Sequence, residues 1–206
     1  FSDTYDLVPE IMVSRDDGKT AESLTGDGIA LLTQANSFGV LASGEIAITE
    51  YFNGNYYLLD SKGNLKEKLE GESKATGPAI TAQGTKIALI SKGAQSVKVI
   101  DTADGSSVEY PYAFAEQTYP RLAYAPDGML YLSDATGIYR HSPDGTLWER
   151  IVDGSATTIG LPSYTLSCLY ACGGENGDIY VNSPDGNILQ YTYDAAAEAV
   201  PSKKIT

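Results

Sequence analysis

The fold is decided by residues 127–148, whose sequence is DGMLYLSDATGIYRHSPDGTLW. An Asp-Gly pair begins this stretch, and alternating apolar and polar residues follow it, which is the pattern of a half-buried β-strand. A second apolar run ends at His141, and another Asp-Gly pair at positions 144 and 145 leads to a third run. Because Asp-Gly pairs suit tight hairpin turns, the stretch predicts three antiparallel strands in succession.

Much of the remaining chain repeats this pattern in degenerate copies. A glycine precedes each alternating run, at positions 44, 84, 128 and 177, so the copies lie 40 to 49 residues apart. That period is typical of four-stranded propeller blades and differs from the period of ankyrin or leucine-rich units. The sequence therefore predicts an all-β protein made of β-propeller blades, each with four antiparallel strands.

Each copy supplies its four strands in the same order. A short apolar run before the glycine predicts the innermost strand, the run after the glycine predicts the second, and a third follows a loop. The outer strand is more polar, as in Leu65–Leu69, and its charges discourage pairing with other chains. We predict one domain, or part of one, over residues 1–206, with blades at about 36–72, 77–112, 118–154 and 164–206.

The N-terminal residues fit only the outer half of a blade. Residues 11–19 match a third strand and its turn, and residues 20–24 match a fourth strand. No obvious innermost strand precedes them, although residues 5–8 are compatible with a second strand. We therefore expect four complete blades plus an N-terminal half-blade at residues 1–26. A further polypeptide segment or a neighbouring copy should complete the half-blade, because an uncovered strand edge promotes association.

Composition limits the class of partner. The formal net charge of -13 argues against nucleic acid, whose phosphates require a basic surface, and disfavours binding to anionic lipid. No run of 18 apolar residues occurs, so no membrane span is predicted. Fifteen Tyr against four Phe, with many small polar residues, is a composition that favours an extracellular or cell-surface location.

The pattern from Gly128 to Val152 resembles the repeats of NHL-type and related six-bladed β-propellers, and those from Gly44 to Leu69 and Gly177 to Tyr193 do so more loosely. The chain is also similar to propeller segments of large bacterial surface lipoproteins, some of which carry a solute-binding domain. Residues 3–10 carry this second resemblance. Both imply a fold and no particular activity, because propellers include scaffolds, sugar-binding proteins, lyases and lactonases.

The resemblance also raises the question of a metal. Gluconolactonase-like propellers hold a divalent metal in the central channel with carboxylate and Asn ligands. Here the predicted innermost strands have no such residue within their apolar runs, and only Asn36, Glu45 and Asp127 lie near the strand ends. A hard cation needs several oxygen ligands, and the Asp-Gly turns lack the spacing of a calcium loop. We therefore predict neither a metal nor a cofactor.

Nucleophilic catalysis is not predicted either. His141 is the only histidine, and no recognisable motif places a Ser or Cys near it. Cys168 and Cys172 would lie roughly 13 Å apart along a regular strand, beyond disulfide reach. They are expected to be buried free thiols or, if the chain bends near Gly173, a disulfide.

The most distinctive loop is the connection at residues 110–121, which holds four aromatic residues, an acid and a base. Propeller topology places it on the same face as the loops between second and third strands. Aromatic rings near carboxylates suit a sugar or a peptide, but such rings also wedge adjacent blades together. The predicted ligand- or partner-binding residues are Glu50, Tyr51, Phe52, Asn53, Tyr112, Phe114, Tyr119, Arg121 and Asp134.

These features predict a non-enzymatic binding or assembly module outside the cytoplasm, which presents one propeller face to a carbohydrate, peptide or protein. Two alternatives remain open. Carboxylates in the channel would favour a lactonase- or hydrolase-type six-bladed propeller enzyme. Unpaired strand edges would favour a structural subunit of a head-to-tail assembly.

Overall fold

The computed structural model describes residues 10–51, 53–69, 79–91, 95–114, 120–125, 127–134, 137–153, 169–172, 179–182, 188–192 and 200–205. Within these ranges the chain consists of β-strands, turns and one 3-10 turn at Ile29–Leu31, and it contains no α-helix. The side chains beyond Ile151 are not described, except that of Gln190.

The strands form four antiparallel sheets of four strands and one of two. The two-stranded sheet, here called the half-blade, pairs β1 (Met12–Val13) with β2 (Glu22–Ser23). Blade 1 contains β3 (Ala35–Val40), β4 (Ile46–Glu50), β5 (Tyr56–Leu59) and β6 (Leu65–Leu69). Blade 2 contains β7 (Ile80–Gln83), β8 (Lys86–Ser91), β9 (Ser96–Asp101) and β10 (Ser107–Pro111). Blade 3 contains β11 (Arg121–Tyr124), β12 (Leu130–Asp134), β13 (Gly137–His141) and β14 (Glu149–Asp153). Blade 4 contains β15 (Leu169–Cys172), β16 (Ile179–Asn182), β17 (Ile188–Thr192) and β18 (Val200–Ile205).

This arrangement confirms the predicted fold class, an all-β propeller with four complete blades and an N-terminal half-blade. In every blade the strands pair in the order of the sequence. The innermost strands lie side by side, since β7 packs against both β3 and β11, and β11 packs against β15. The outermost strand of blade 1, β6, is exposed along its whole length, as its polar composition predicts.

The core consists of apolar layers between neighbouring sheets, because both faces of an inner strand are covered. Ile46 and Ile48 of β4 face the half-blade, where they join Leu24 in one cluster. Ala47, which lies between them in sequence, faces blade 2 and joins a second cluster that contains Ile87. A third cluster fills the space between blades 2 and 3. The period-2 alternation therefore buries apolar residues on both faces of blades 1 and 2.

The inner strands approach one another closely near the propeller axis. A Cβ atom on Gly39 would lie 2.4 Å from the backbone nitrogen of Ala82 in β7, so only glycine fits here. The Ala42 N–H donates to the Gly84 carbonyl at 2.8 Å, and the Ser37 hydroxyl donates to the Ile80 carbonyl at 3.0 Å. Backbone and side-chain contacts together hold blade 1 against blade 2.

Some predicted strand ends are displaced. The short apolar run before Gly44 covers residues 38–42 and predicts the first innermost strand there, but β3 begins at Ala35, whose partner is Glu50. The register shifts between Ala35 and Ser37, and this irregularity interrupts the alternation that marks a strand in the sequence. The predicted second strands likewise extend one or two residues further, to polar residues such as Glu50 and Asp134.

Candidate functional site

Each blade directs its connections to two opposite ends. The hairpin turns between first and second strands, and between third and fourth strands, lie at one end, here called the hairpin face. The loops between second and third strands, and the links from one blade to the next, lie at the other end, here called the connection face. The predicted site residues that the structure describes belong to the connection face, because they lie in or next to these loops and links.

Glu50 ends β4 and fixes the connection face of blade 1. Its side chain is 1% exposed. Oε1 accepts hydrogen bonds from the Thr33 N–H at 2.6 Å and the Thr33 hydroxyl at 2.8 Å. Oε2 accepts from the Asn53 amide at 2.7 Å and the Tyr57 hydroxyl at 3.2 Å. The carboxylate thus joins the entry to β3, the loop after β4 and strand β5.

The protonation state of Glu50 follows from these bonds. Burial on its own raises the pKa, but hydrogen bonds from Thr33, Asn53 and Gln34 outweigh this effect and hold the pKa of the carboxyl below its usual value. Glu50 is therefore ionised at neutral pH and already bonded by several donors. Such a carboxylate holds loops in place and is poorly suited to take a proton from a substrate.

Asp134 ends β12, the strand of blade 3 that corresponds to β4, and it is fully buried. The Tyr112 hydroxyl, from the link that follows β10, donates to its Oδ2 at 2.8 Å. This bond crosses from blade 2 to blade 3. The second strands of blades 1 and 3 thus both end in a buried carboxylate that binds a neighbouring loop.

The Tyr112 ring lies in an aromatic cluster between blades 2 and 3. Its centroid is 4.8 Å from that of Phe114, 5.1 Å from that of Tyr139 and 5.8 Å from that of Trp148. All four rings are partly buried and pack against the core between the two blades. This placement agrees with the alternative given above, in which the aromatic rings pack between adjacent blades. It leaves Phe114 and Tyr112 only partly accessible to a ligand.

Four predicted site residues remain, and the structure describes two of them, Tyr51 and Arg121. The Tyr51 N–H donates to the Gln34 carbonyl at 3.0 Å, which places Tyr51 beside the entry to β3. Arg121 is the first residue of the innermost strand β11, is half-buried, and donates from Nη1 to the Pro120 carbonyl at 3.3 Å. Phe52 and Tyr119 lie outside the described residues. The structure therefore brings Glu50, Tyr51 and Asn53 together in blade 1, and Tyr112, Phe114 and Asp134 together at the junction of blades 2 and 3.

His141 lies at the hairpin face, at the end of β13, and is 1% exposed. Its Nδ1 lies 2.7 Å from the Ser142 carbonyl, which assigns the ring proton to Nδ1 in the neutral form. The ring stacks on Tyr110, with centroids 3.8 Å apart, and burial lowers its pKa. Nε2 is buried without a hydrogen-bond partner among the described residues, beside a cavity of about 20 Å³, which has room for one water.

A metal site does not emerge from the described part of the chain. No group of three or more His, Cys, Asp or Glu lies close enough there to hold an ion. Cys172 belongs to β15, whereas Cys168 lies outside the described residues, so their bonding stays a prediction. No described helix is long and apolar enough to cross a membrane.

Known proteins match this chain in structure but not in sequence. No protein-family model matches the chain, and a search of curated proteins finds no match in sequence. Virginiamycin B lyase from Staphylococcus aureus matches in structure with a TM-score of 0.61 and 16% identity, over 98% of this chain and 64% of that chain. A streptogramin B lyase structure matches with a TM-score of 0.54 and 18% identity, over 85% of this chain and 59% of that one. A protein of unknown function from Bacteroides caccae matches with a TM-score of 0.55 and 11% identity, over 91% and 64% of the two chains.

These neighbours correct one prediction. At such low identity they establish the propeller fold and leave the activity of this chain open. Two of them are nevertheless lyases, so the prediction of a non-enzymatic binding or assembly module is contradicted, and the enzyme alternative is better supported. The chain spans less than two thirds of the length of these structures.

Proposed function

We propose that this chain belongs to a propeller enzyme of the lyase or hydrolase type, which acts at its connection face on a peptide-like or sugar-like molecule. The observation that carries the proposal is the structural match to virginiamycin B lyase over 98% of the chain, with a TM-score of 0.61. The connection face supports it, because buried carboxylates hold its loops rigidly, as a preorganised site requires.

Arg121 is the described residue best suited to stabilise charge at this face. A guanidinium stays cationic at every physiological pH, and it can bind a developing oxyanion or the carbonyl oxygen of an ester or amide. Arg121 is the first residue of an innermost strand, at the end of that strand that belongs to the connection face. Tyr51 lies in the loop after β4 and Phe114 in the link after β10, and both rings would contact the apolar part of a substrate.

The base that removes a proton is not assigned to Glu50 or Asp134, because both are buried and hydrogen-bonded. A histidine-to-alanine variant of virginiamycin B lyase is described as catalytically inactive, in a structure with quinupristin. The single histidine here, His141, is buried at the hairpin face, so it does not correspond to a base at the connection face. We place the base outside the described residues.

The location and the finer family are part of the same proposal. The many Tyr and small polar residues of the chain support a location outside the cytoplasm or on the cell surface. The likeness to NHL-type repeats and to surface lipoproteins rests on the residue patterns alone and stays a prediction.

Turnover of a candidate substrate tests this function. The intact polypeptide is incubated with quinupristin and with ester- and lactone-containing peptides and sugars. The masses of the products are measured by mass spectrometry. Elimination gives products whose masses sum to that of the substrate, whereas hydrolysis adds one water. We expect turnover that Arg121→Ala lowers at least about a hundredfold, the loss typical of one charge-stabilising group. The matched control is Arg150→Ala, an exposed residue of the outer strand of blade 3, which should retain full activity. Absence of turnover across the panel, or equal losses in both variants, would refute the proposal.

A further inference from the structure

The loop between β8 and β9, on the connection face, ends in a residue with a strained backbone. Gln95 has a φ of 50°, which lies in the left-handed region. Among the described residues other than glycine, Asp17 alone shares a positive φ, and it lies in an Asp-Asp-Gly turn, where aspartate tolerates this conformation. Glutamine is not among the residues that favour this region. Such strain persists where the surrounding contacts hold it in place, and it is often found at functional sites.

Gln95 holds the link after β10 at two points. The ladder between β9 and β10 ends at the pair Ser96 and Pro111. The Gln95 carbonyl continues this ladder, because it accepts from the Tyr112 N–H at 2.8 Å. The side-chain Oε1 of Gln95 accepts from the Phe114 N–H at 2.9 Å. Main chain and side chain of one residue therefore bind two positions of the link.

These contacts fix the Phe114 ring more than they stabilise the fold. The bond from Phe114 to the Gln95 side chain is exposed, so water would replace it at little cost. A glycine at position 95 would adopt the same φ without strain, but it has no side-chain oxygen for the Phe114 N–H. The strained glutamine thus gives the link a defined position, with the Phe114 ring 4.8 Å from the ring of Tyr112.

We propose that Gln95 is a positioning residue of the connection face, which holds the Phe114 ring in the orientation that binds the apolar part of the substrate. This inference rests on the proposed function, in which Phe114 contacts the substrate. Gln95 acts through Phe114 and supports binding, because a ring that is already fixed loses less conformational entropy when the substrate binds. Loss of this support should therefore raise KM and leave kcat nearly unchanged.

Hydrogen exchange without any ligand tests whether Gln95 fixes the link in the intact polypeptide. Gln95→Ala removes the acceptor and keeps the strain, Gln95→Gly removes both, and Gln95→Glu keeps an acceptor oxygen. The Phe114 amide should exchange about three- to tenfold faster in the Ala and Gly variants, and at nearly the original rate in the Glu variant. Gln95→Gly should melt about 2–4 °C higher than Gln95→Ala, because glycine relieves the strain. Equal exchange rates in all four proteins, or a Gly variant no more stable than the Ala variant, would overturn the proposal.

Turnover of quinupristin, or of the best substrate of the panel, tests the role in binding. Gln95→Gly should raise KM about three- to tenfold with kcat nearly unchanged, and Gln95→Glu should restore KM. In a Phe114→Ala background, Gln95→Gly should raise KM no further, because Gln95 acts through Phe114. A KM that Gln95→Gly leaves unchanged, or raises equally in both backgrounds, would overturn the proposal. If the unmodified polypeptide turns over no substrate, the proposed function fails, and hydrogen exchange still decides whether Gln95 positions the link.

Discussion

Replacing Glu50 by Gln should destabilise the propeller strongly, although the two side chains have the same shape. The buried carboxylate accepts four hydrogen bonds of 3.2 Å or less, from Thr33, Asn53 and Tyr57. Gln keeps one acceptor oxygen, which can still serve Thr33. Its new NH2 group would face the Asn53 amide, another donor, only 2.7 Å away.

The size of the effect follows from the bonds that are lost. A hydrogen bond to a charged group contributes about 1.5–3 kcal/mol, and Glu50→Gln removes the charge and at least one such bond. We expect a loss of about 3 kcal/mol, which for a chain of this size lowers the melting temperature by about 6–12 °C. The free energy of unfolding is measured by urea denaturation, and the melting temperature by calorimetry.

The matched control is Glu67→Gln on the exposed outer strand β6, which should change stability by less than about 0.5 kcal/mol. The pH profile gives a second test. Because the folded pKa of Glu50 is lowered, its contribution is fully present above the unfolded pKa of about 4.3 and is lost as pH falls through the folded pKa. The variant should lose less stability over that range. A variant as stable as the wild type would refute the role of Glu50 as the centre of this network.

Three further predictions concern other parts of the molecule. Gly39→Ala should lower the melting temperature by about 4–10 °C, because its Cβ would lie 2.4 Å from the Ala82 nitrogen, and an unchanged melting temperature would contradict the close approach of β3 and β7. Tyr112→Phe should cost about 1.5–3 kcal/mol in urea denaturation, since it removes a 2.8 Å bond to the buried Asp134, and a neutral effect would show that this bond does not join the blades. Burial lowers the folded pKa of His141, so its contribution to stability is fully present above the unfolded pKa of about 6.5 and falls as the solution becomes more acidic. His141→Phe should flatten the stability profile as the pH falls below about 6.5, and an identical slope in both proteins would contradict this assignment.

The fold was predictable because the signal repeats. A glycine followed by alternating apolar residues marks the second strand in every blade, and the outer strand at Leu65–Leu69 was located correctly. The start of β3 was not, because the register shift beside Ala35 breaks the period there. A local pattern predicts regular strands well and irregular ones poorly.

The interactions of the site were less predictable than its location. Glu50 and Asp134 were singled out as residues of this face, but their partners were not. Thr33 is 17 residues from Glu50, and Tyr112 is 22 residues from Asp134 on another blade. Such pairs depend on strand register and on how blades pack, and a local sequence pattern predicts neither of these.

The function was predicted least well. The period of the repeat specifies a scaffold that proteins of many activities share, and the chain contains no catalytic motif that separates an enzyme from a binding module. Only the comparison of whole folds, with 16% identity to virginiamycin B lyase, favoured the enzyme alternative.

Hydrogen exchange of the intact polypeptide with and without quinupristin, or the best substrate of the turnover panel, tests the central claim most directly. If the connection face is the site of an enzyme, bound ligand should slow exchange in the segments that contain Tyr51, Phe114 and Arg121. The hairpin turns next to Gly128 and His141, at the opposite end of blade 3, should exchange at the same rate in both samples. Slower exchange at these turns, with none at the connection face, would contradict the account.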